Sequence, residues 1–226
     1  MDSDTLPIRL FQVCKAYEKN VVIEKVDLEV KRGEFVVIVG RSGSGKSTLL
    51  NLVSGLDRPD SGEVVVSGYS LANLDERGLS RLRRRHLGFV FQFFNLIPTL
   101  TVAENIRLPL ALNGLPKNNS IIRTDGLLEE LGLADCGERF PEELSGGEQQ
   151  RAAIARALVH EPAIVIADEP TGNLDLETAA GVLGLLNETC RQRGATLVMA
   201  THSREMVGIA DRVLTIRSGH LEEIKV

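Results

Sequence analysis

The chain has 226 residues, 43% of them hydrophobic, and a formal net charge of -5 at pH 7. This length suits one large domain or a core with a subdomain, and the hydrophobic fraction is ample for a buried core. The negative charge argues against a protein whose main task is to neutralise nucleic-acid phosphates, so we expect no nucleic-acid partner.

Targeting and redox features of the sequence indicate a reduced, intracellular environment. No apolar run approaches the ~20 residues that a membrane-spanning helix needs. The chain starts with acidic residues, whereas a secretion signal is first basic and then apolar. Cys14, Cys136 and Cys190 are widely scattered and lack metal-ligand spacing, as expected of reduced thiols in a cytosolic protein. We therefore expect a chain that is neither secreted nor anchored by a helix of its own.

The N-terminal residues have the pattern of antiparallel strands. Residues 8–13 largely alternate between apolar and polar side chains, and residues 26–30 alternate strictly. A turn is predicted at residues 18–20 between them. Tyr17 falls in this turn region, where an exposed ring could stack on a purine base, although exposed tyrosines are common in turns.

Residues 40–47 match the phosphate-binding pattern G-x-x-x-x-G-K-[ST] at every constrained position. The apolar residues 35–39 precede this loop and residues 49–56 follow it with helical spacing, which predicts a strand, a glycine-rich loop and a helix. Backbone N–H groups of the loop and the positive end of the helix dipole bind phosphate oxygens. Lys46 is placed to neutralise the β and γ phosphates, and the Ser47 hydroxyl to bind Mg²⁺. A glycine turn that merely precedes a helix is the alternative, and the complete match disfavours it.

A basic segment and a further strand precede Gln92. The clustered arginines are Arg77, Arg81, Arg83, Arg84 and Arg85. This segment either contacts lipid headgroups or a partner or, more commonly for such a cluster, forms a solvated helix face. Residues 87–91 are predicted to form a buried strand that ends at Gln92. Open parallel sheets bind ligands at that end of a strand, so the Gln92 amide binds Mg²⁺, orients water or merely caps the strand.

Residues 93–144 predict a helical insertion with a polar loop at residues 117–120. Ser145 and Glu148 then have the spacing of a capping box for the next helix. Gly146 and Gly147 stand in the first turn of that helix, where each costs up to ~1 kcal/mol relative to alanine. We expect no purely structural reason for these glycines, whereas close approach of the backbone to an anion would supply one.

Three polar side chains follow predicted buried strands. Asp168 and Glu169 follow residues 163–167, and His202 follows residues 196–200. Adjacent acids at a strand end are often only solvated, and a lone histidine is usually structural. Beside a phosphate loop, however, Asp168 suits holding Mg²⁺ through water, and Glu169 suits polarising the water that attacks the γ-phosphate. His202 suits sensing that phosphate.

These residues together resemble the nucleotide-binding subunit of ABC transporters, over nearly the whole chain. The family's phosphate loop corresponds to residues 40–47, its glutamine loop to Gln92 and its signature sequence to residues 144–151. Its second acidic motif corresponds to residues 164–169, its dimer-contact loop to residues 173–175 and its switch histidine to His202. The resemblance implies an α/β P-loop NTPase with a RecA-like, mostly parallel sheet core, an N-terminal antiparallel β part and an inserted α-helical subdomain. It implies a single ABC ATPase domain over residues 1–226, with the core in residues 1–92 and 160–226 and the helical subdomain in residues 93–159.

The resemblance also implies roles for individual side chains. Catalysis would fall to Lys46, Glu169 and His202, and the metal ligands would be Ser47, Gln92 and Asp168. The residues that bind ATP would be Tyr17, Gly40, Arg41, Ser42, Gly43, Ser44, Gly45, Lys46, Ser47, Thr48 and Gln92. The ATP bound by the second subunit would be contacted by Ser145, Gly146, Gly147 and Glu148. Asp175 would lie in the dimer contact.

The resemblance implies a head-to-tail homodimer that encloses two ATP molecules with Mg²⁺. This dimer would drive integral membrane permease subunits from the cytoplasmic face of the inner (plasma) membrane, as a peripheral protein. The helical insertion and Gln92 would form the groove for the coupling helix of the membrane subunit. Residues 91–105 and 171–175 look like the lipoprotein-release and macrolide-export branch. Because the sequence ends after the ATPase, it looks more like a lipoprotein-release subunit.

Three other functions remain as alternatives. A related ATPase pair regulates cell-wall hydrolysis in division and transports nothing. Chromosome and repair ATPases have similar motifs but carry a long coiled-coil insertion, for which the short stretch between Gln92 and Ser145 leaves no room. A small-molecule kinase with the same phosphate loop would leave residues 144–151 unexplained. The sequence does not identify a transported molecule, because in this family the substrate touches the membrane subunits.

Overall fold

The computed structural model describes residues 6–202 and 208–224. The strands in these residues are β1 (Ile8–Tyr17), β2 (Asn20–Val30), β3 (Phe35–Val39), β4 (Ser61–Val66), β5 (Tyr69–Ser70), β6 (Leu87–Phe91), β7 (Ile164–Asp168), β8 (Thr196–Thr201), β9 (Arg212–Arg217) and β10 (His220–Ile224). The α-helices are α1 (Lys46–Ser54), α2 (Glu76–His86), α3 (Val102–Leu112), α4 (Lys117–Glu130), α5 (Gly146–Leu158) and α6 (Leu176–Gln192). None of these helices combines the length and the apolar character that crossing a membrane demands.

A four-stranded antiparallel sheet has the strand order β2-β1-β4-β5. In β1, Ile8 and Leu10 are buried whereas Arg9 and Phe11 are exposed, which is the period-two alternation of a sheet with one solvated face. Tyr17 is the last residue of β1, so the predicted turn begins one residue after it. This sheet is the predicted N-terminal antiparallel part.

The second sheet has six strands in the order β10-β9-β3-β8-β7-β6. All neighbouring pairs are parallel except the C-terminal hairpin of β9 and β10. In the central strand β3, Phe35 and Val37 join one hydrophobic cluster while Val36 and Ile38 join the other. Because both faces of the strand are buried, its sequence is an unbroken apolar run. The predicted α/β fold with a mostly parallel core is confirmed.

Helices cover both faces of the six-stranded sheet. Helix α1 lies between the two sheets, and its Leu49 and Val53 belong to the cluster that the antiparallel sheet also enters. The opposite face is covered by α5 and α6, with α3 and α4 packed against α5. Helices α3, α4 and α5 follow one another between β6 and β7, and α3 and α4 lie within the helical insertion predicted at residues 93–144.

Strand β6 and helix α5 pack unusually closely. A Cβ on Gly88 would lie only 2.3 Å from the carbonyl oxygen of Ala157, so no larger residue fits without moving the helix. The His160 Nε2 lies 3.0 Å from the Leu87 carbonyl oxygen at the same contact. Burial lowers the pKa of the His160 imidazole below its ordinary value. The neutral ring therefore donates from Nε2 to Leu87 and fixes the end of α5 to the start of β6.

Two sequence predictions about helix limits are wrong. Residues 117–120, predicted as a polar loop, form the first turn of α4, because Pro116 begins the helix and the Ser120 hydroxyl bonds back to its carbonyl at 3.1 Å. Leu56, predicted on the first helix, lies beyond α1 and is 54% exposed. The helix ends at Ser54 because Gly55 adopts φ 63°, the left-handed conformation of a glycine C-cap.

Candidate functional site

The carboxyl ends of the parallel strands meet at one edge of the sheet, where a pocket of about 920 Å³ opens. Ligands bind at this edge in open α/β sheets. The sequence-predicted residues that line it are Tyr17, Ser42, Gly43, Gly45, Lys46, Ser47, Thr48, Gln92, Asp168, Glu169 and His202. Gly40, Arg41 and Ser44 complete the loop between β3 and α1. Side chains that are far apart in the sequence therefore come together in one pocket.

Backbone geometry explains the glycines of the phosphate loop. Gly43 and Gly45 have φ values of 77° and 103°, in the region that favours glycine. A Cβ on Gly45 would also lie 3.0 Å from Val22 Cγ1 and 3.1 Å from the Val22 carbonyl oxygen. The Ser44 hydroxyl is buried without a hydrogen-bond partner. An unpartnered donor and a free helix N-terminus both fit a bound phosphate.

Lys46 extends over the loop with its ammonium held by main-chain oxygens. Its Nζ donates to the carbonyl oxygens of Gly40 and Arg41 at 3.0 Å and 3.2 Å. The Glu169 Oε1 lies 3.6 Å from the same nitrogen. Because the residue is only 6% exposed, this positive charge is poorly solvated. It is therefore well suited to attract phosphate oxygens.

Asp168 and Ser47 supply oxygen ligands beside the phosphate loop. Burial raises the pKa of the Asp168 carboxyl, although the Ser47 hydroxyl and the Lys46 charge oppose this shift. Asp168 Oδ1 is buried without a hydrogen-bond partner. A hydroxyl and an unpartnered carboxylate oxygen fit Mg²⁺, which prefers oxygen ligands and retains waters and phosphates. Within the described ranges, no group of three or more His, Cys, Asp or Glu side chains forms a metal centre by itself.

Glu169 is fixed between Lys46 and His202. Its main chain has φ 47°, and its N–H donates to the Ala200 carbonyl oxygen at 2.9 Å. Its Oε2 accepts from the His202 backbone N–H at 3.1 Å and lies 2.8 Å from His202 Nδ1. Strained backbone at the end of a buried strand is typical of a residue whose position matters for function. The carboxylate and the imidazole thus face the pocket as one hydrogen-bonded pair.

Gln92 reaches across the pocket to the loop that follows β7. Its Nε2 lies 3.2 Å from Asn173 Oδ1, and the Asn173 amide donates to the Gln92 carbonyl oxygen at 3.1 Å. A Cβ on Gly172 would lie 2.7 Å from Gln92 Nε2, so a larger residue there would displace the Gln92 amide. The Gln92 amide is therefore hydrogen-bonded to this loop and also lines the pocket.

The Tyr17 ring is held at the pocket by a polar network that the sequence did not indicate. Its hydroxyl lies 2.6 Å from Asp57 Oδ2, and Asp57 Oδ1 accepts from Lys15 Nζ at 2.8 Å. The Asp57 hydrogen bond, followed by burial, raises the pKa of the Tyr17 phenol, so the hydroxyl stays a donor. The Thr48 side chain, in the helix that begins at the phosphate loop, opposes this shift. The network therefore joins the ring to the helix that begins at the phosphate loop.

The signature residues lie outside this pocket. The Ser145 hydroxyl caps α5 by accepting from the Glu148 N–H at 3.3 Å, and the Glu148 carboxylate accepts from the Ser145 N–H at 2.7 Å. Hydrogen bonds from Ser145 lower the pKa of the Glu148 carboxyl. The predicted capping box is confirmed.

The expectation that Gly146 and Gly147 lack a structural reason is wrong for Gly147. A Cβ there would lie 2.7 Å from Thr178 Cγ2 of α6, and one on Gly146 would lie 3.2 Å from Leu174 Cδ2. Asp175, also outside the pocket, caps α6 by accepting from the Thr178 N–H at 2.9 Å. Close packing between the starts of α5 and α6 therefore accounts for part of the glycine pair.

Residues of the pocket that sequence reasoning did not single out are Val22, Phe91, Phe93 and Asn95. Asp57 contacts the site through Tyr17. Phe91, Phe93 and Asn95 lie in the branch-like residues 91–105, but that resemblance gave them no role at the site. Val22 and Asp57 belong to no motif. They enter the site because β2, β6 and the loop after α1 converge on the phosphate loop.

The fold and this pocket define a P-loop nucleotide hydrolase. Its phosphate loop carries a buried lysine, and a pair of carboxylates lies at the end of β7, two strands away from β3 in the sheet. The sequence model of the ABC transporter family matches residues 23–172. Over 202 residues the chain is 45% identical to the lipoprotein-releasing system ATP-binding protein LolD of Chromohalobacter salexigens, which covers 89% of this chain and 85% of that protein. Over 217 residues it is 45% identical to the methionine import ATP-binding protein MetN of Rhizobium johnstonii, which covers 96% of this chain and 60% of that protein.

A solved structure has the same fold. The dimeric post-hydrolysis structure of the ATP-binding cassette MJ0796, bound to ADP and Pi, superposes with a TM-score of 0.86 and 37% sequence identity, covering 97% of this chain and 99% of that one. The chain therefore belongs to the ABC transporter family, and it is an ATP-binding cassette ATPase.

We expect the Tyr17 network to set the affinity of this ATPase for ATP. Tyr17→Phe keeps the ring but removes its bond to Asp57, and Asp57→Asn weakens the same bond. Each should lower ATP affinity by roughly two- to fivefold with little change in kcat, because a hydrogen bond to a partly exposed charge contributes modestly. Displacement of a fluorescent nucleotide measures the affinities.

The double variant tests whether the two residues act together. Because both single changes affect the same hydrogen bond, the double variant should lose no more ATP affinity than either single variant. Tyr69→Phe, at an exposed tyrosine outside the pocket, is the matched control. Additive losses in the double variant would show that Asp57 does not act through Tyr17.

Proposed function

We propose that the chain is the ATP-hydrolysing, nucleotide-binding subunit of a bacterial ABC export or membrane-extraction complex. It works as a head-to-tail homodimer with separate membrane subunits, peripherally at the cytoplasmic face of the inner membrane. The observation that carries this proposal is the arrangement of the site. Phosphate loop, carboxylates and histidine share one pocket, whereas the helix start at Ser145 and Gly146 lies outside it.

Within the pocket each side chain has a task that follows from its contacts. Tyr17 stacks on the adenine, and the loop N–H groups with Lys46 bind the phosphates. Glu169 accepts a proton from the attacking water, and its bond to His202 orients both groups at the γ-phosphate. Asp168, Ser47 and Gln92 hold Mg²⁺, which when bound neutralises phosphate charge.

The dimer supplies what one copy lacks. Ser145, Gly146, Gly147 and Glu148 form a helix N-terminus, which favours an anion, but in their own chain they do not line the pocket. In a head-to-tail pair they reach the ATP bound by the other copy, and Asp175 lies in the contact. That the MJ0796 cassette is dimeric in its structure with ADP and Pi supports pairing of two copies.

A second, more apolar cavity provides a docking place for a membrane subunit. It has a volume of about 550 Å³ and lies between α2, β6, α3 and α5. Its lining includes Leu56, Phe89, Phe91 and Leu112, of which Leu56 and Leu112 are each 54% exposed. Phe91 also lines the ATP pocket, immediately before Gln92. A coupling helix seated in this docking groove would therefore contact the strand that ends at the ATP site.

The export assignment rests on the resemblance of residues 91–105 and 171–175 to the lipoprotein-release and macrolide-export branch. Similarity to LolD supports it. Overall identity to the methionine importer MetN is equal, at 45%, so these two segments carry the distinction and the overall identity does not.

Capture of the closed dimer tests the proposal. Tagged Glu169→Gln protein, purified from detergent-solubilised membranes with ATP present, should bring with it a membrane protein with few spanning helices and a large extracytoplasmic domain. The same preparation without ATP, and Glu177→Gln with ATP, are the controls, because Glu177 is an exposed acid in the first turn of α6. Recovery of division proteins without an exported substrate, or of no membrane partner, would overturn the export assignment.

A further inference from the structure

Helix α2 presents a stripe of arginines on one face. Arg77, Arg81, Arg84 and Arg85 have the spacing i, i+4, i+7 and i+8, which places them on one side of a helix. All four are exposed. The opposite side packs Leu79 and Leu82, 2% and 4% exposed, into the core. We call these four residues the arginine stripe.

The arginine stripe is not neutralised by the protein itself. Within residues 6–202 and 208–224, none of the four makes an ion pair with a carboxylate, although the chain carries a net charge of -5. The acid on the same helix, Glu76, lies 3.4 Å from Arg58 instead. Like charges at i, i+4 and i, i+3 repel each other across the stripe. A purely structural helix gains nothing from this arrangement.

The helix dipole accounts for only half of the stripe. Arg84 and Arg85 lie in the last turn of α2, where the negative end of the dipole favours cations. Arg77 is the second residue of the helix, where the positive end disfavours them. The N-terminal half of the stripe therefore requires another explanation.

The neighbourhood of the stripe has the shape and chemistry of a headgroup site. A recess of about 190 Å³ is lined by Arg81 and Arg85 together with Tyr69 and His86. The two rings pack at 5.7 Å between centroids and form its wall. Arginine binds phosphate oxygens through two parallel N–H groups, so two arginines beside one recess suit a phosphate.

The stripe also lies beside the docking groove. Arg84 lines that groove, and its carbonyl oxygen accepts from the Asn113 side chain at 2.8 Å, at the end of α3. The exposed Leu112 precedes Asn113. If a membrane subunit occupies the docking groove, this surface of unpaired arginines and an exposed leucine would lie near the bilayer.

We propose that the arginine stripe binds the phosphate headgroups of anionic phospholipids in the cytoplasmic leaflet around the membrane subunit. The inference rests on the proposed function for its orientation, since the docking groove determines which face of the protein meets the membrane. Headgroup contacts would hold α2, and with it the wall of the groove, against the bilayer.

Vesicle co-sedimentation tests the proposal with two matched variants. The wild-type chain should bind vesicles of equal parts phosphatidylcholine and phosphatidylglycerol, and not phosphatidylcholine alone. Changing Arg77, Arg81, Arg84 and Arg85 to glutamine should weaken this binding by roughly tenfold or more, since each basic residue near an anionic surface contributes. A control with the same charge change, at four exposed arginines elsewhere, should bind like wild type. The control positions are Arg9, Arg32, Arg123 and Arg217.

Further measurements separate this inference from the proposed function. The stripe variant should retain ATP turnover, because no stripe residue lines the ATP pocket. If wild type captures its membrane partner but ignores anionic vesicles, the lipid inference fails while the proposed function stands. A variant that changes only Arg77, Arg81 and Arg85 leaves Arg84 of the docking groove intact. If this variant loses that partner in detergent, where no bilayer remains, the stripe binds an acidic segment of the membrane subunit and the lipid inference is overturned. Equal vesicle binding by both glutamine variants would also overturn it.

Discussion

Replacing Glu169 with glutamine should lower kcat for ATP hydrolysis by roughly a hundredfold or more, because loss of a general base costs 10²–10⁴ in rate. The Glu169 carboxylate lies 2.8 Å from His202 Nδ1 and 3.6 Å from Lys46 Nζ, inside the pocket. Glutamine keeps the shape and most hydrogen bonds but does not accept the proton of the attacking water. Release of inorganic phosphate under saturating ATP measures the loss.

The same substitution should leave ATP binding intact or strengthen it. One negative charge is removed beside the phosphates, so the remaining field of Lys46 attracts them more strongly. Glu177→Gln, which changes an exposed acid of α6, should leave both turnover and binding unchanged. Wild-type turnover in Glu169→Gln would refute the role of this carboxylate and, with it, the proposed mechanism.

Replacing Lys46 with alanine should weaken ATP binding by roughly thirtyfold or more, since loss of one partner of a buried charge pair costs several kcal/mol. The Lys46 residue is 6% exposed, and the carbonyl oxygens of Gly40 and Arg41 accept hydrogen bonds from its ammonium. In the protein without nucleotide the cost of desolvating this charge offsets its hydrogen bonds and its 3.6 Å contact with Glu169, so its removal should change the free energy of unfolding little.

Thermal unfolding with and without ATP distinguishes these two effects. ATP should raise the Tm of wild type, because a ligand that binds only the folded state stabilises it, and should raise that of Lys46→Ala much less. Lys117→Ala, at an exposed lysine in the first turn of α4, is the control and should respond to ATP like wild type. An equal ATP-dependent rise in all three proteins would contradict the assigned contact.

The sequence predicted those parts of the site that depend on local pattern. Residues 35–39 form a strand buried on both faces, and the glycine loop and Glu169 follow strand ends as expected, whereas Asp168 is the last residue of β7. A buried parallel strand leaves a continuous apolar run, and the turn after it carries whichever polar groups the site needs. The fold and the phosphate-binding part of the pocket can therefore be predicted from the sequence.

Contacts between distant polar side chains were not predictable. Tyr17 and Asp57 are 40 residues apart, and Gln92 and Asn173 are 81 apart. Such pairs have no periodicity, because they depend on how two separate loops approach each other. The structural role of Gly147 was missed in the same way, because it depends on close packing against Thr178 of another helix. The predicted subdomain limits at residues 93 and 159 and the individual catalytic roles remain predictions.

The contact of His160 with Leu87 has a consequence for the response of the protein to acid. Since the folded state holds the imidazole neutral, the unfolded chain takes up a proton there more readily as the pH falls below about 6.5, the ordinary pKa of histidine. Proton uptake is therefore linked to unfolding, and the stability that this residue contributes above that pH is lost below it. The contact between β6 and the end of α5 is thereby an acid-sensitive point of the fold.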